Sequence, residues 1–371
     1  MRFFVLLKKY SKNILIIANL AVSILLLLSY LSIYISPVDY SVFAFLGLIY
    51  PYLLVINILF IMIWLVSRSW LFAISAVSIL IGLKNLNSFV QINHESEQTA
   101  KIRKNIKVLS YNVRVFNLWK WSSDNDIPNR TFSYIKRQRP DIVCLQEFFS
   151  KQSKGKNAKD SLLKKSTLKY AHVSFTKIDN KTYNYGIATF SAFPIVNKGN
   201  VKINKNDNFC IYSDVKIGND TLRIVNVHLE SIHLGYDDYQ LIENIESRDS
   251  IDVRGLKNIV KKLRKGYRKR ALQSERIANF ILESPYEIIL CGDFNDTPVS
   301  YAYNTLNTKL RDSFRESGNG IGSTYINKYS AFRIDYILHS PSLTSSDFSV
   351  PNVKFSDHYP VECNIQILEK D

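Results

Sequence analysis

The sequence predicts a membrane anchor of two or three helices, followed by an α/β domain whose buried strands alternate with helices. The first 94 residues contain six basic residues and one acid, Asp39, and are mostly apolar. From residue 105 onward, short apolar runs of strand length alternate with amphipathic segments. Such a mixture is typical of sheets whose outer faces are covered by helices. The third observation is that polar residues recur where the strand-like runs end.

Two apolar runs are long enough to cross a bilayer. Residues 14–35 and 42–66 contain no charged side chain. About 20 apolar residues, at about 1.5 Å per residue, cover a hydrocarbon core of about 30 Å. A third segment, 70–90, reaches that length only if Lys84 lies at the interface, where its long side chain can extend to water. We therefore expect an anchor over residues 1–90 with two or three spans.

The distribution of basic residues predicts the orientation of the anchor. Arg2, Lys8, Lys9 and Lys12 precede the first span, whereas residues 36–41 carry no positive charge. Basic residues mark the cytoplasmic side, so the N-terminus is expected inside. Three spans would then place the following domain outside the cytoplasm, and two spans would place it inside.

The remainder of the chain is basic. It contains 48 − 6 = 42 basic and 32 − 1 = 31 acidic residues, a net charge of +11. This excess suits an anionic partner such as a phosphoester, a nucleic acid or a lipid head group. The four cysteines lie far apart and mostly within apolar strand-like runs, without the Cys/His spacing of a zinc site. They are expected to be small buried hydrophobic residues.

A polar linker over residues 91–104 separates the anchor from a domain over residues 105–371. Its predicted strands cover residues 106–113, 141–147, 171–175, 186–190, 209–215, 222–229, 288–292, 331–339 and 361–368. Its predicted helices cover residues 131–139, 161–169, 256–265 and 268–283. The third of these helices is basic and amphipathic. It is suited to an anionic membrane or a phosphate backbone, or it is a core-facing helix with a solvated cationic face.

The strand at 288–292 is the clearest candidate for a functional site, because Gly292, Asp293 and Asn295 follow its apolar run. A polar side chain at a strand end can reach a ligand without being buried unpaired. The same arrangement recurs on other strands of the domain. The candidate residues at or near strand ends are Asn112, Glu147, His228, Asp293, Asn295, Asp335, Asp357 and His358.

These residue types suit metal-assisted attack of water on a phosphoester. Carboxylate and carboxamide oxygens are hard ligands for Mg²⁺ or Mn²⁺, which stabilise the charge that develops on a phosphoryl group. A histidine can accept a proton from water when a carboxylate holds its other nitrogen. Asparagine and histidine can donate hydrogen bonds to phosphoryl oxygens. Patterns for a serine nucleophile, a phosphate-binding P-loop or a dinucleotide site are absent from the sequence.

Six short motifs in order resemble those of the endonuclease/exonuclease/phosphatase superfamily. The group includes DNase I-like nucleases, abasic-site endonucleases, neutral sphingomyelinases and inositol-polyphosphate 5-phosphatases, and the resemblance covers residues 105 to 369. Together the Gly-Asp-Phe-Asn and Ser-Asp-His motifs, with Gln-Glu upstream, are specific for it. The motifs are Ser110-Tyr111-Asn112, Gln146-Glu147, Asn226-Val227-His228-Leu229, Gly292-Asp293-Phe294-Asn295, Arg333-Ile334-Asp335-Tyr336 and Ser356-Asp357-His358.

The resemblance implies a four-layer α/β/β/α sandwich of two mixed sheets, and it implies a role for each motif residue. Glu147 would bind the metal, with Asn112 and Asp357 supporting or completing that site. His358, oriented by Asp335, would be the general base or a phosphate contact. Three further roles complete the implied site. Asp293 would position or activate the water, Asn295 and His228 would hold phosphoryl oxygens, and Tyr185 would contact the substrate.

The expected function is therefore a membrane-anchored phosphoester hydrolase that depends on Mg²⁺ or Mn²⁺ and cleaves phosphodiesters. The alternatives are a nuclease acting on DNA or RNA and a phosphodiesterase or phosphatase of lipid head groups. A non-catalytic membrane-anchored binding protein on the same fold is the remaining alternative. The expected location is a bacterial inner membrane, with the catalytic domain outside the cytoplasm. No protein partner is inferred.

Overall fold

The computed structural model divides the chain into two compact units. It describes residues 2–92, 101–151, 157–177, 183–202, 209–232, 238, 241, 252–326 and 331–369. The first unit, called the helical unit below, comprises residues 1–88, 234–271 and 297–304. The second, the sandwich unit, comprises residues 89–233, 272–296 and 305–371. The predicted linker at 91–104 falls largely on residues 93–100, which lie outside the described residues.

The described residues form nine α-helices and fourteen strands. The helices are α1 (Arg2–Ser29), α2 (Val42–Val66), α3 (Phe72–Ile81), α4 (Leu83–Phe89), α5 (Ile127–Gln138), α6 (Ala158–Lys165), α7 (Val253–Leu282), α8 (Tyr301–Asn307) and α9 (Ser313–Ser317). The first seven strands are β1 (Ile102–Asn112), β2 (Ile142–Lys151), β3 (Tyr170–Lys177), β4 (Tyr183–Ser191), β5 (Ile195–Asn200), β6 (Cys210–Ile217) and β7 (Asp220–His228). The others are β8 (Glu287–Asp293), β9 (Arg311–Asp312), β10 (Tyr325–Ile326), β11 (Ala331–Phe332), β12 (Asp335–His339), β13 (Leu343–Ser349) and β14 (Val361–Leu368).

The helical unit contains two helices that are long and apolar enough to cross a membrane. They are Lys12–Ile33 and Val42–Val66, with mean hydropathies of 2.6 and 2.3. Helices α3 and α4 would make a third span if counted together, although the chain bends by 73° between them. The two long predicted segments are therefore helices with the length and composition of a span, and the third segment is two short helices with a sharp bend between them.

A network of buried polar side chains joins α1, α2 and α3. Asn19 donates to the hydroxyl oxygen of Ser75 (2.6 Å) and accepts from the indole nitrogen of Trp64 (2.9 Å). The Ser23 hydroxyl donates to Asn57 Oδ1 (2.8 Å). A polar group in an apolar surrounding is costly unless it is hydrogen-bonded, so helices in lipid use such groups to associate. The network therefore holds α3 against the other two helices.

Contacts near the end of α1 give the direction of α3. The Tyr30 hydroxyl donates to the carbonyl oxygen of Ser78 (2.9 Å), and the Tyr30 ring lies 6.0 Å from that of Tyr50. Asn19 contacts Ser75, three residues earlier on α3. Both helices therefore progress the same way along the bundle, and α3 ends on the side where α1 ends.

Two later segments of the chain pack at that same end of the helices. Ser32 donates to the carbonyl oxygen of Val299 (3.0 Å), and Asn304 donates to that of Ile33 (2.9 Å). On α7, the Tyr267 ring packs edge-on against Phe45, near the start of α2, with centroids 5.5 Å apart. Residues distant in sequence therefore pack against this end of the helical unit.

The sandwich unit contains two six-stranded mixed sheets, which confirms the predicted α/β class. One sheet has the order β13-β14-β1-β2-β4-β3, and the other has the order β5-β6-β7-β8-β12-β9. In each, the central pair is parallel: β1 with β2, and β7 with β8. All other strand pairs in the two sheets are antiparallel among the described residues. β10 and β11 form a separate hairpin-like pair.

The two sheets share one apolar core. Alternate residues of the central strands meet there, and three of the four cysteines, all free thiols, belong to it. Helices α5 and α6 cover the outer face of the first sheet through residues such as Ile135 and Leu162. The C-terminal part of α7 covers the second, where Phe280 lies 5.3 Å from Tyr212. The four-layer sandwich implied by the sequence motifs is therefore confirmed.

Two local predictions were wrong. The helices predicted at 256–265 and 268–283 are one continuous helix, α7, because the buried Gly266 between them does not break it. An internal glycine costs only about 1 kcal/mol, which packing can offset. The strand predicted at 331–339 is divided into β11 and β12. Arg333 and Ile334 lie between them without strand pairing, and the two strands pair with different partners.

Candidate active site

The candidate residues continue the apolar rows of the sheet interiors. Side chains alternate between the two faces of a strand, so every second residue belongs to the same row. Four rows that begin in the shared core end in polar residues at one end of the sandwich. The rows are Ile106-Val108-Ser110-Asn112, Leu222-Ile224-Asn226-His228, Ile289-Cys291-Asp293 and, read backwards along its strand, Ile337-Asp335.

Strand direction explains why these ends coincide. Asn112 and Gln146 are register partners at the ends of parallel strands, as are His228 and Asp293. β12 is antiparallel to β8, so its first residue, Asp335, is paired with the last residue of β8, Asp293. Residues from distant parts of the chain are thereby brought to one edge of the sandwich.

Asp293 lies at the centre of this group and is buried. Its Oδ2 accepts a hydrogen bond from Asn112 Nδ2 (3.0 Å), and its Oδ1 accepts one from the backbone N–H of Asn295 (2.7 Å). The Nε2 atoms of His228 and His358 lie 3.6 and 3.8 Å from Asp293 Oδ2. Two histidines therefore lie near the same oxygen of one carboxylate.

His358 is held in place by Asp335. Its Nδ1 lies 2.9 Å from Asp335 Oδ2, and both side chains are buried. Tyr325 packs edge-on against the imidazole at 5.3 Å between ring centroids. Because Nδ1 is bonded to Asp335, Nε2 is the nitrogen that points toward Asp293.

Glu147 occupies a bulge of β2. The pairing of β2 with β4 shifts between Leu145 and Phe148, and Glu147 adopts a left-handed conformation with φ of 51°. A left-handed non-glycine residue costs roughly 1–2 kcal/mol, and such strain concentrates at functional sites. The Glu147 side chain is 30 % exposed, and its Oε1 lies 4.0 Å from His228 Nε2. The bulge thus keeps Glu147 next to the buried group while leaving it accessible to solvent.

The remaining predicted site residues are Asp357, Tyr185 and Asn295. Asp357 Oδ2 lies 3.3 Å from an Arg114 guanidinium nitrogen. Tyr185 is on β4, where its register partner is Phe149, two residues beyond Glu147. Asn295 donates through Nδ2 to the carbonyl oxygen of Leu229 (3.0 Å). The predicted substrate contact of Tyr185 and the predicted metal contact of Asp357 stay predictions.

The two central titratable groups have shifted pKa values. Burial raises the pKa of Asp293, and the neighbouring Asp335 carboxylate raises it further, against the opposing effect of both histidines and the Asn295 N–H. Burial alone would lower the pKa of His358, but Asp335 and Asp293 outweigh it and raise that pKa to about 10. Opposite charges at short distance favour the ionised imidazole. Shifts of this kind cluster at functional sites.

The donor set fits a hard divalent cation. Ligand atoms of Asp293, Asp335 and His358 all lie within 4.8 Å of one another. Asp335 Oδ1 is buried without a hydrogen-bond partner in the described part of the chain. This group differs from the ligands predicted by resemblance, which are Glu147, Asn112 and Asp357. Asp335 Oδ2 is already hydrogen-bonded to His358 Nδ1. The closeness of these three residues therefore does not by itself assign the metal ligands.

Three motif residues have structural roles. Gln146 Nε2 donates to Asn226 Oδ1 (2.8 Å), which connects the two sheets directly beneath the site. Asn226 in turn donates to the carbonyl oxygen of Ala188 (2.9 Å). Gly292 has φ of +151°, and a Cβ there would come within 1.8 Å of the Val227 carbonyl oxygen. These residues place the strand ends rather than contact a ligand.

Sequence reasoning missed Arg114 and Trp121. The backbone is left-handed at four successive residues, 114 to 117, and a guanidinium nitrogen of Arg114 lies near Asp357. Its guanidinium carbon lies 5.0 Å from the Trp121 ring centroid, and its backbone N–H donates to Asn112 Oδ1 (3.1 Å). Only the proximity of Arg114 to Asn112 in sequence hinted at this placement.

Comparison with known proteins gives two matching families. The sequence profile described as the endonuclease/exonuclease/phosphatase family matches residues 109–358, and that of a domain of unknown function matches residues 12–89. No curated protein matches the chain.

Several solved structures share the fold at low sequence identity. An endonuclease/exonuclease/phosphatase from Beutenbergia cavernae DSM 12333 is 15% identical with a TM-score of 0.52, covering 71% of this chain and 72% of its own. A family protein from Bacteroides thetaiotaomicron is 18% identical with a TM-score of 0.51, covering 71% and 98%. The human Nocturnin catalytic domain with bound sulfate is also 18% identical with a TM-score of 0.51, covering 73% and 96%.

Proposed function

Because this chain belongs to the endonuclease/exonuclease/phosphatase family, whose profile matches more than half of it, we propose that it is a membrane-anchored, divalent-metal-dependent phosphodiester hydrolase. The observation that carries the proposal is that two histidines lie within 4 Å of one buried Asp293 oxygen, with the Asp335–His358 pair beside it. A non-catalytic binding protein would not require this buried arrangement of titratable groups. The division into an anchor (1–90), a linker (91–104) and a catalytic domain (105–371) is part of the proposal.

The proposed reaction is the attack of water on phosphorus, with cleavage of the bond to the leaving alcohol oxygen. Asp293 positions the water, and the water proton passes to the Asp293–His358 pair, whose nearest atoms are 3.8 Å apart. A proton returns to the leaving oxygen, giving a phosphomonoester and an alcohol. Asp335 holds the imidazole in one orientation, which is what a general acid–base pair requires.

His228 and Asn295 are proposed to donate to phosphoryl oxygens, and Arg114 adds a positive charge at the margin of the site. Glu147, assisted by Asn112 and Asp357, would hold Mg²⁺ or Mn²⁺. When bound, the ion would supply positive charge to the phosphoryl oxygens as negative charge develops on them. The 30 % exposure of the Glu147 side chain is consistent with a ligand that an ion reaches from solvent.

The first prediction tests the activity itself. Full-length protein in detergent should hydrolyse an aryl phosphodiester in the presence of Mg²⁺ or Mn²⁺. A chelator should remove the activity, because it takes away the cation that offsets the negative charge of the phosphate and of the surrounding carboxylates. A panel of nucleic acids, sphingomyelin, phosphoinositides and simple diesters then distinguishes a nuclease from a lipid phosphodiesterase. Absence of hydrolysis across the panel with both metals would contradict the proposal.

We also propose that the sandwich unit lies outside the cytoplasm. The Asn19–Ser75 and Tyr30–Ser78 contacts make α3 end on the side where α1 ends. That side is opposite the cationic N-terminal segment, which the distribution of positive charge assigns to the cytoplasm. The chain therefore leaves the membrane on the outer side.

The second prediction concerns this orientation. An alkaline phosphatase reporter fused after Asp371 should be active in cells, because the enzyme folds only outside the cytoplasm, and a fluorescent protein that folds only inside should stay dark at the same position. The matched control is the same pair of reporters fused after Arg68, at the cytoplasmic turn, where the pattern should reverse. The opposite pattern at Asp371 would place the domain in the cytoplasm.

A further inference from the structure

Helix α7 carries a cationic stripe that the proposed reaction does not use. It consists of six exposed basic residues in the first half of the helix, and no acid occurs between residues 253 and 274. At about 100° per residue, the six fall within about 100° of the helix circumference. The described residues form no ion pair with the stripe's side chains. The stripe residues are Arg254, Lys257, Lys261, Arg264, Lys265 and Arg268.

The same half of α7 belongs to the helical unit. Tyr267 is buried and packs against Phe45, which is four residues into α2. A residue so close to the end of a membrane-spanning helix lies at the level of the lipid head groups. The helix that carries the stripe therefore contacts α2 at the level of the lipid head groups.

The order of side chains around α7 is that of an interfacial helix. Next to Tyr267 on the helix surface come Val253 and Val260, which are 57% and 49% exposed. The basic stripe follows on the far side of these valines. An interfacial helix has this arrangement, with apolar side chains toward the acyl chains and lysine and arginine among the head groups.

We propose that residues 253–268 form a docking surface for anionic phospholipid head groups in the leaflet next to Tyr267. The proposal rests on the membrane anchoring proposed above but not on catalysis. Charge complementarity selects this occupant, since a cationic segment near a membrane is attracted by anionic lipids. The stripe therefore binds phosphate-bearing head groups and holds them next to the helical unit.

A fluorophore at Val260 can report this contact. The four native cysteines are buried, so a thiol-reactive dye attached to Val260→Cys labels the intact full-length protein at one site. In vesicles that contain about 30% phosphatidylglycerol, quenching by a lipid with a nitroxide head group should be about threefold stronger than in pure phosphatidylcholine. This increase in quenching should disappear in about 0.5 M salt, where charges are screened beyond a few ångströms.

A pair of charge-matched variants makes the test specific. Combining Lys257→Gln, Lys261→Gln, Arg264→Gln and Arg268→Gln with the labelled residue should abolish the phosphatidylglycerol-dependent gain. The control removes four exposed lysines of the sandwich unit and should keep the gain; it consists of Lys136→Gln, Lys164→Gln, Lys202→Gln and Lys309→Gln.

Three results would overturn the proposal. The first is equal quenching with and without phosphatidylglycerol in the labelled protein. The second is a gain that survives the four stripe substitutions as it survives the control. The third is shielding of the dye from aqueous iodide by a single-stranded oligonucleotide but not by phosphatidylglycerol, which would assign the stripe to nucleic acid.

Discussion

Asp293→Asn should lower the rate of phosphodiester hydrolysis by roughly 10³-fold, the size of a lost general acid–base contribution. Its carboxylate accepts from Asn112 and from the Asn295 N–H and lies within 4 Å of two histidine nitrogens. The carboxamide is nearly the same shape, so the surrounding side chains keep their places. The carboxamide cannot accept a proton from water. The substitution also removes the negative charge that lies near both imidazoles.

The measurement is a steady-state assay of full-length variant and parent in the same detergent with saturating metal. The fall should appear in kcat more than in KM, because Asp293 acts on the water and not on the remote part of the substrate. Asp160→Asn, which removes an exposed carboxylate from α6, is the matched control and should leave kcat unchanged. Retention of more than about a tenth of the parental kcat would exclude a general acid–base role for Asp293.

Arg333→Met should destabilise the sandwich unit by about 3–5 kcal/mol, the cost of breaking a buried ion pair. An Arg333 guanidinium nitrogen lies 2.8 Å from Asp312 Oδ2, and the two side chains are 1% and 0% exposed. The guanidinium also stacks on Phe314, with its carbon 4.3 Å from the ring centroid. Methionine fills much of the same volume but removes the cation that faces the buried Asp312 carboxylate.

Thermal unfolding of the full-length protein in detergent measures this effect. At roughly 2–4 °C per kcal/mol for a domain of this size, Tm should fall by roughly 6–20 °C. Arg311→Met is the neighbouring control, because the Arg311 side chain is 53% exposed and its ion pair with Glu316 is longer, at 3.6 Å. An exposed pair contributes at most about 1 kcal/mol, so this variant should unfold within a few degrees of the parent. Equal Tm values for the two variants would contradict the importance of the buried pair.

Arg333 is a motif residue that was found from the sequence, although its structural role was not predicted. The Arg333-Ile334-Asp335-Tyr336 segment was singled out for Asp335, which contacts His358. Its arginine stabilises the turn that precedes Asp335, through a partner 21 residues earlier in the chain. Nothing in the local pattern distinguishes a catalytic neighbour from a structural one, because both are polar residues beside a strand.

The apolar helices show the same limit. Hydropathy alone predicted that 14–35 and 42–66 are long enough to span a membrane, but the third segment stayed ambiguous because its apolar run is short. The direction of α3 follows only from contacts such as Asn19 with Ser75, which join helices 56 residues apart in sequence. Likewise, the stripe on α7 was visible as a basic amphipathic segment, but the Tyr267–Phe45 contact was needed to place it at the anchor.

Period-2 alternation and run length are local properties, and they were sufficient to predict most of the buried strands, the polar residues at their ends and the two long apolar helices. The contacts of Asp293 with His228 and His358, and of Asp335 with His358, could be seen only in the folded chain. These contacts depend on strand order, direction and register, which are set by pairing across tens to hundreds of residues. Asn112 and Asp293 are 181 residues apart in sequence and 3.0 Å apart in space.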